Sequence, residues 1–507
     1  MFNPIAVART SLVSVPLPKT FKGGVAVSIA SATTDHTRSI LSQVSADGSA
    51  VSFLADLPPL GWSSFRVSPV AAGAPGAAAP TSRVQAGAQT LGYGAASAQL
   101  RLGSDGQVTH LTVEATGVAL QLEQDYRVYE TDQGGPYCLV EQGEAKPPST
   151  SHRTRDQAGG TVVAGAEPSR VEVSVWKGPL FSEVVVNRTW GDESFAVAPR
   201  LATTHRVTNG SSLADVVLVL HDVPVLPLNR EVVSRIHTDL NSMGTLFHDD
   251  SGFELYPKHD DPSLPISGRY HAMVQSAVIR DGGAAVSASR QLAVLSRHTK
   301  GVASLSEGDI EYMLARRING TDDQGPWPLN ETVPLDITMG LLACTADDGR
   351  RVDAAFLLEN PPLVLTSAPG DESVPQRPSG SPSAGLPEGL HLTHFFVRMG
   401  TDDHLYEYPT GVSGNGSGQG MELVLRLRNV RSVRSSPVDV TALVSDIHAR
   451  ACTETTLTMQ QVRSESQRLV WRADDGSVFG KGGPGPTSGC RAVVIDPFDV
   501  RTFVLKL

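Results

Sequence analysis

The chain has 507 residues, 53 Asp and Glu against 42 Lys and Arg, a net charge of −11 and only 19% charged residues. That balance excludes a nucleic-acid binder, which needs Lys/Arg-dense faces to neutralise phosphates, and no apolar run reaches the length of a membrane span. Frequent Gly and Pro among Val, Ser and Thr exclude a helix-dominated chain and point to an all-β protein of consecutive sandwiches.

Residues 1–67 read as a small β-sandwich domain. Val13 and Val15, then Val25, Val27 and Ile29, alternate with small or polar residues, and LPPLGWSSFRV (Leu57–Val67) closes the unit. The opening stretch has no uninterrupted apolar core and carries Pro4, so no secretory signal peptide is expected there. Residues 68–82 have the Ala/Gly/Pro composition of a linker.

Residues 83–365 read as one large central β-sandwich without a good amphipathic helix. Gln99–Val113 predicts a hairpin about Ser104-Asp105-Gly106. Val171, Val173 and Val175 alternate with polar residues, and Glu183–Trp190 and Asp215–Leu220 predict further strands. In Gln291–Gly325, Leu292 and Val294 predict a half-buried strand. Ile310, Tyr312 and Leu314 predict another, leading to a loop with Arg316, Arg317, Asp322 and Asp323. A Ser/Pro/Gly-rich linker is expected at 366–386, followed by a C-terminal β-sandwich at 387–507 in which Leu423, Leu425 and Leu427 alternate. The glycine-rich GVSGNGSGQG (Gly411–Gly420) has no following Lys-Ser/Thr and is read as a flexible loop, not a phosphate loop.

Five of the ten asparagines (Asn187, Asn209, Asn319, Asn330 and Asn415) stand in N-x-S/T sequons. Chance gives roughly one in six, so glycosylated surface loops and a secretory route are expected. Cys138, Cys344, Cys452 and Cys490 form no C-x-x-C pair. They allow one or two disulfides of undetermined pairing, or buried thiols.

Candidate chemistry is sparse. His221-Asp222, His248-Asp249-Asp250, His259-Asp260-Asp261 and Asp446-x-His448 supply metal-ligating types. Neighbours on a strand point to opposite faces, so these pairs are expected in solvated turns. No G-x-S-x-G elbow is present. Asp322-Asp323 is the most suggestive carboxylate pair, with charge neutralisation of Arg316-Arg317 as the simpler reading. Tyr137, in GGPYCLV, stands where a strand begins and can present ring and hydroxyl to a sugar.

Taken together these stretches resemble glycoside hydrolase family 38, the zinc-dependent retaining α-mannosidases, and the lysosomal or vacuolar acid type in particular. Val302–Glu311 with Arg316-Arg317 resembles that family's G-S-S-L-x-D-G-x-L-E…R-R block. Glu231–Arg235 resembles K-E-V-I-S-R-F, Leu246–Gly252 resembles F-Y-T-D-S-N-G, and Pro265–Tyr270 resembles P-x-x-G-N-Y-Y. Asn3-Pro4, Leu57–Val67, Leu386–Phe395, Glu454–Leu457 with Arg468–Trp471, and Asp496–Phe503 are similar to further blocks in the same order.

The resemblance implies that this is the C-terminal β-rich half of such an enzyme, with a mutarotase-like central super-sandwich. The zinc, its ligands and the nucleophilic aspartate are expected in an N-terminal catalytic barrel outside this chain, so no catalytic residue, metal ligand or cofactor is assigned here. The implied partners are that barrel and an α-mannoside or N-glycan substrate, with neither nucleic acid nor a membrane span. The implied location is the lysosome, vacuole or secretory pathway. Tyr137 maps to the tyrosine of the family's G-A-Y motif, which lines the mannose pocket. Asp322 and Gln324 map to the R-R-x-x-x-D-D-x-R-G loop, with Gln324 replacing the arginine that reaches the sugar. Alone, the chain is expected to be inactive. The alternatives are a stand-alone carbohydrate-binding or pseudoenzyme protein and a sugar-ring-modifying enzyme on a similar sandwich.

Overall fold

The computed structural model describes residues 1–18, 24–29, 39–71, 78–85, 87–95, 97–130, 170–189, 200–211, 214–221, 230–252, 254–283, 285, 288–317, 335–367, 386–387, 389–399, 421–431, 435–444, 451–465, 471–472, 478–479 and 490–506. The fold is all-β, built of consecutive sheets, with one α-helix among the described residues. A four-stranded and a three-stranded sheet form from the N-terminal residues, an eight-stranded and a ten-stranded sheet from the central ones, and a four-stranded sheet from the C-terminal ones.

The central core lies between the two large sheets. In Val118–Glu130, Val118, Leu120, Leu122, Tyr126 and Val128 point inward while Ala119, Gln121 and Glu123 face solvent, the period of two that a pleated strand imposes. Val184, Leu201, Leu292, Val294, Met339 and Leu341 meet them in the same cluster. The expected hairpin is present: Ala98–Leu102 pairs with Val108–Val113. Gly106 turns the chain at φ +79°, and a Cβ there would strike Val173.

Two expectations need correcting in this region. Arg350–Glu359 is a helix of ten residues, seven of them good helix formers (Arg, Ala, Leu, Glu), that stops at Asn360 before Pro361-Pro362. It lays Ala354, Ala355 and Leu358 over Val278, Ala293, Leu295, Leu342 and Cys344. The strand Arg290–Ser296 is therefore buried on both faces, not one: Leu292 and Val294 face the sandwich core, Ala293 and Leu295 the helix.

Within 68–82, expected as a linker, the described residues enter sheets. Phe65–Val70 pairs with Gly24–Ile29, Ala79–Pro80 runs parallel to Gln43–Val44, and Ser82–Val84 pairs with Val175–Lys177. Short edge strands need only backbone donors and acceptors, which Ala/Pro-rich composition hides. Gln43, fully buried, fastens this junction. Its amide oxygen accepts from the Leu180 and Phe181 N–H groups (2.9 and 3.2 Å), and its nitrogen donates to Thr81 Oγ1 (3.1 Å). Of the second expected linker, only residues 366, 367 and 386 are described, and the glycine-rich loop Gly411–Gly420 lies outside the described residues.

Cys452 and Cys490 form a disulfide beside the C-terminal core, where Leu423, Leu425, Leu427 and Phe503 pack. Cys344 is a buried free thiol under the helix, with Gln291 donating to its sulfur (3.0 Å) and burial pushing it up to about 11. Cys138 lies outside the described residues.

Candidate functional site

Three adjacent strands of the eight-stranded sheet, Val118–Glu130, Arg230–Thr238 and Asp309–Arg317, end together: Glu130 pairs with Arg230, and Arg230 with Arg317. The segments that leave this sheet end carry Tyr137 (after Glu130) and Asp322 and Gln324 (after Arg317). Those three residues lie outside the described residues, but their roots are neighbours. Of the sequons, Asn187 is exposed on the strand Phe181–Thr189 and Asn209 is exposed in the turn after Thr208. Asn319, Asn330 and Asn415 lie outside the described residues.

The outward face of these three strands is a ladder of ion pairs. Arg316 Nε donates to Glu231 Oε1 (2.9 Å), directly across the register, and Glu231 is fully buried. Two rungs along the same face, past Val233 and Met313, Arg235 clasps Glu311 with Nε–Oε2 2.8 Å and a second contact of 2.6 Å. Tyr129 OH donates to Glu311 Oε1 (2.6 Å) and Tyr270 OH donates to the same oxygen. Burial alone would lower the Arg235 guanidinium, but the Glu311 charge outweighs it and the net direction is up. Burial, followed by the Glu311 carboxylate, holds both tyrosines far above their ordinary range as neutral donors. At the far end, Asp125 and Asp309 flank His237 (Nδ1–Asp309 Oδ1 2.6 Å, Nε2–Asp125 Oδ2 3.9 Å) and push it up to about 9. Arg127 pairs with Asp125 (2.5 Å). Burial works to raise Asp125, yet the hydrogen bonds from His237 and Arg127 carry it below the usual carboxylate range.

The inward face of the same strands holds a second, mostly neutral network that bolts the two sheets together. Gln124 Nε2 donates to Ser234 Oγ (2.9 Å) and Tyr312 OH (3.2 Å). Its Oε1 lies 2.8 Å from His205 Nε2 on the opposite sheet, so His205 carries its proton on Nε2. His205 Nδ1 is buried without a partner, and burial, helped by the Arg188 charge, pushes the imidazole down to about 3. Tyr126 OH meets Thr203 Oγ1 (2.7 Å), and Arg188 lies 5.2 Å over the Tyr126 ring while donating to Gln107 (2.8 Å).

The residues that carry the family resemblance converge here. Glu231 and Arg235 stand in one block, Glu311 and Arg316 in a second and Tyr270 in a third, and the structure joins them as partners. Sequence reasoning did not single out the ladder or the bolt. The available signal was phase: Gln124 falls on the inward phase between Leu122 and Tyr126, and the outward phase runs Asp125, Arg127, Tyr129.

The His-Asp pairs are corrected in part. His248 and Asp249 are not in a solvated turn but buried, 5% and 3% exposed. Asp249 accepts backbone N–H bonds from Val274, Gln275 and Ser276, and the ring of His248 stacks on that of His271. Burial raises the Asp249 carboxyl against those bonds. Asp260 takes a bidentate pair from Arg269 (2.6 and 2.6 Å), and His259 bonds Thr245 (2.9 Å). Asp222, Asp446 and His448 lie outside the described residues. Among the described residues no group of three or more His, Cys, Asp or Glu side chains converges to hold a metal ion, so no step through zinc is derived from them.

Residues 96–324 match the family model described as the Glycosyl hydrolases family 38 C-terminal domain. The central part of the chain, residues 96–324, thus resembles the C-terminal domain of glycoside hydrolase family 38. It is 26% identical over 361 residues to an epididymis-specific alpha-mannosidase of Homo sapiens, covering 66% of this chain and 35% of that protein. It is 23% identical over 568 residues to a lysosomal alpha-mannosidase of Dictyostelium discoideum, covering 100% of this chain and 50% of that protein. The fold is shared with a family 38 glycosyl hydrolase structure from Enterococcus faecalis at TM-score 0.59 and 12% identity, over 100% of this chain and 57% of that one. The chain thus spans about a third to a half of the length of these curated family 38 relatives. The family match closes on the segment carrying Asp322 and Gln324.

Proposed function

We propose that this chain is the sugar-facing β portion of a retaining α-mannosidase acting on α-mannosides of N-glycans. In this reading the hydrolytic step belongs to a catalytic barrel outside the chain, and the chain supplies part of the pocket wall. Tyr137 contributes ring and hydroxyl, and the loop of Asp322 and Gln324 approaches from the neighbouring root. The observation that carries the reading is the pairing of Glu130, Arg230 and Arg317, which brings the roots of both loops to one sheet end inside the family 38 match. The ion-pair ladder directly below stiffens that end, and rigid roots reduce the ordering that sugar contacts require.

The proposal includes three units, 1–67, 83–365 and 387–507, glycans on the five sequons, and a lysosomal, vacuolar or secretory location. The lysosomal names of several relatives support the last point. Gln324 in place of an arginine offers a neutral amide where a guanidinium fork would give a charged, bidentate contact, so a weaker contact is expected from that loop. The test is release of an aryl α-mannoside by the purified chain in acid buffer with zinc. No turnover is expected from the chain alone, and clear turnover overturns the division of labour. Mannoside binding by a chain with no catalytic region encoded upstream points instead to a stand-alone carbohydrate-binding protein.

A further inference from the structure

A small cavity lies where the helix Arg350–Glu359 meets the end of the strand Met421–Asn429 and the turn that follows His248. Its wall carries Asp249, Arg351 and Arg428, with Ala355, Phe356 and Val430 beside them. The space amounts to about 10 Å³, room for one water-sized species. Arg431 and Asp353 form an ion pair across the same seam (2.6 Å).

The charges on this wall are not matched. Asp249 directs its oxygens to the backbone N–H groups of Val274 (2.6 Å), Gln275 (3.0 Å) and Ser276 (3.1 Å). Arg351 Nη1 donates to a neutral hydroxyl, Ser276 Oγ (2.9 Å), and among the described residues Arg351 has no ion pair. Arg428 Nη2 donates to the Gly252 carbonyl. Two guanidinium groups therefore share a wall with one carboxylate whose oxygens are engaged elsewhere. Burial holds the Arg351 guanidinium below its ordinary range despite the Asp249 charge, and it does the same to Arg428 against Glu359 and Asp249. Burial also pushes the Asp249 carboxyl up, which further weakens the one negative charge on the wall. Charge taken out of water is stable where an opposite charge meets it. A guanidinium is weakly hydrated and presents several planar donors, so it suits a shared anion.

We infer that this cavity is an anion site, taking one chloride-sized monovalent anion between Arg351 and Arg428. The ion supplies the negative charge that the wall lacks. Arg351 stands on the helix that packs on the ten-stranded sheet and Arg428 on the C-terminal sheet, so the ion ties these two parts together. Room for one water-sized species selects a halide over phosphate, sulfate or a larger carboxylate. The inference uses none of the proposed sugar contacts and is tested apart from them.

The test is thermal unfolding of the purified chain while sodium gluconate is exchanged for sodium chloride or bromide at constant ionic strength. A saturable rise in Tm of about 2 °C is expected with either halide, the scale of one weakly bound ligand. Arg351→Gln is expected to abolish the rise, and Arg101→Gln, at an exposed arginine on another strand, to retain it. Crystals grown in bromide are expected to show an anomalous peak between the Arg351 and Arg428 guanidinium groups. That measurement uses the wild-type chain, so it decides the matter even where Arg351→Gln fails to fold. A full halide response in Arg351→Gln, a wild-type Tm that does not saturate with halide, or a cavity holding water with no anomalous signal overturns the anion site.

Discussion

The two faces of the strands Val118–Glu130, Arg230–Thr238 and Asp309–Arg317 solve the same problem in opposite ways. Inward residues Gln124, Ser234 and Tyr312, with His205 across the sandwich, are neutral and share hydrogen bonds. Outward residues, one position away in sequence, are charged and paired: Glu231 with Arg316, Arg235 with Glu311, His237 with Asp309. Between packed sheets a lone charge is costly and a histidine is driven neutral, whereas on the outward face the buried carboxylates are each matched by an arginine, and a partly exposed histidine between two aspartates is driven positive. The contrast between His205, at about 3, and His237, at about 9, is this difference expressed in two imidazoles of one sandwich.

The largest effect is expected from breaking the outer face at its hub. Glu311→Gln removes the charge facing Arg235 and leaves a buried guanidinium unmatched, which costs ~3 kcal/mol. Gln124→Leu on the inner face leaves uncharged partners unsatisfied and costs ~2 kcal/mol. Urea denaturation of both variants checks the ranking, and a smaller loss for Glu311→Gln than for Gln124→Leu would reverse the account of the two faces.

The pH dependence of stability sharpens the comparison with smaller effects. The His205 value lies below its ordinary 6.5, so the unfolded chain binds a proton that the fold refuses. Stability is complete above about pH 6.5 and falls by up to ~1.4 kcal/mol per pH unit toward pH 3, and His205→Gln flattens that acid limb. The His237 value lies above its ordinary 6.5, so its contribution is present below that pH and is lost as pH rises through about 9. Its side chain is 36% exposed, and solvent screening reduces the loss to ~1 kcal/mol. His237→Asn removes this alkaline limb. Chemical denaturation at half-unit pH steps reads both limbs, and a histidine variant that leaves its own limb unchanged contradicts the assignment.

Much of the fold was legible because strands betray themselves by period. The all-β class, the hairpin about Gly106 and the alternation through Leu423–Leu427 follow from two-residue patterning. The helix Arg350–Glu359 is short, and its stop at Asn360-Pro361 was its clearest sign, while its burial of Ala293 and Leu295 depends on a tertiary contact no local window contains. The backbone pairing of Ala79–Pro80 leaves no side-chain signature, and the Cys452–Cys490 pairing depends on which strands become neighbours.

The site was legible in a different sense. The family blocks were visible as words, but only the register shows that they are partners. Glu454 and Arg501, from two of the C-terminal blocks, clasp in the same way, and Asn3 holds the Val7 and Pro58 carbonyls at 2.8 and 2.9 Å. Motif residues that carried the family resemblance thus serve as clamps of the sandwich, and the loops rooted beside them carry the proposed contacts.

The central claim is that the loops leaving this clamped sheet end meet the mannoside. It is tested most directly by joining the chain to the region encoded upstream of residue 1 and comparing aryl α-mannoside hydrolysis by wild type and Tyr137→Ala. The account predicts turnover by the joined wild type and a kcat/KM about tenfold lower for the variant, the scale of one lost sugar contact. An unchanged kcat/KM in Tyr137→Ala, with the joined wild type active, would contradict it.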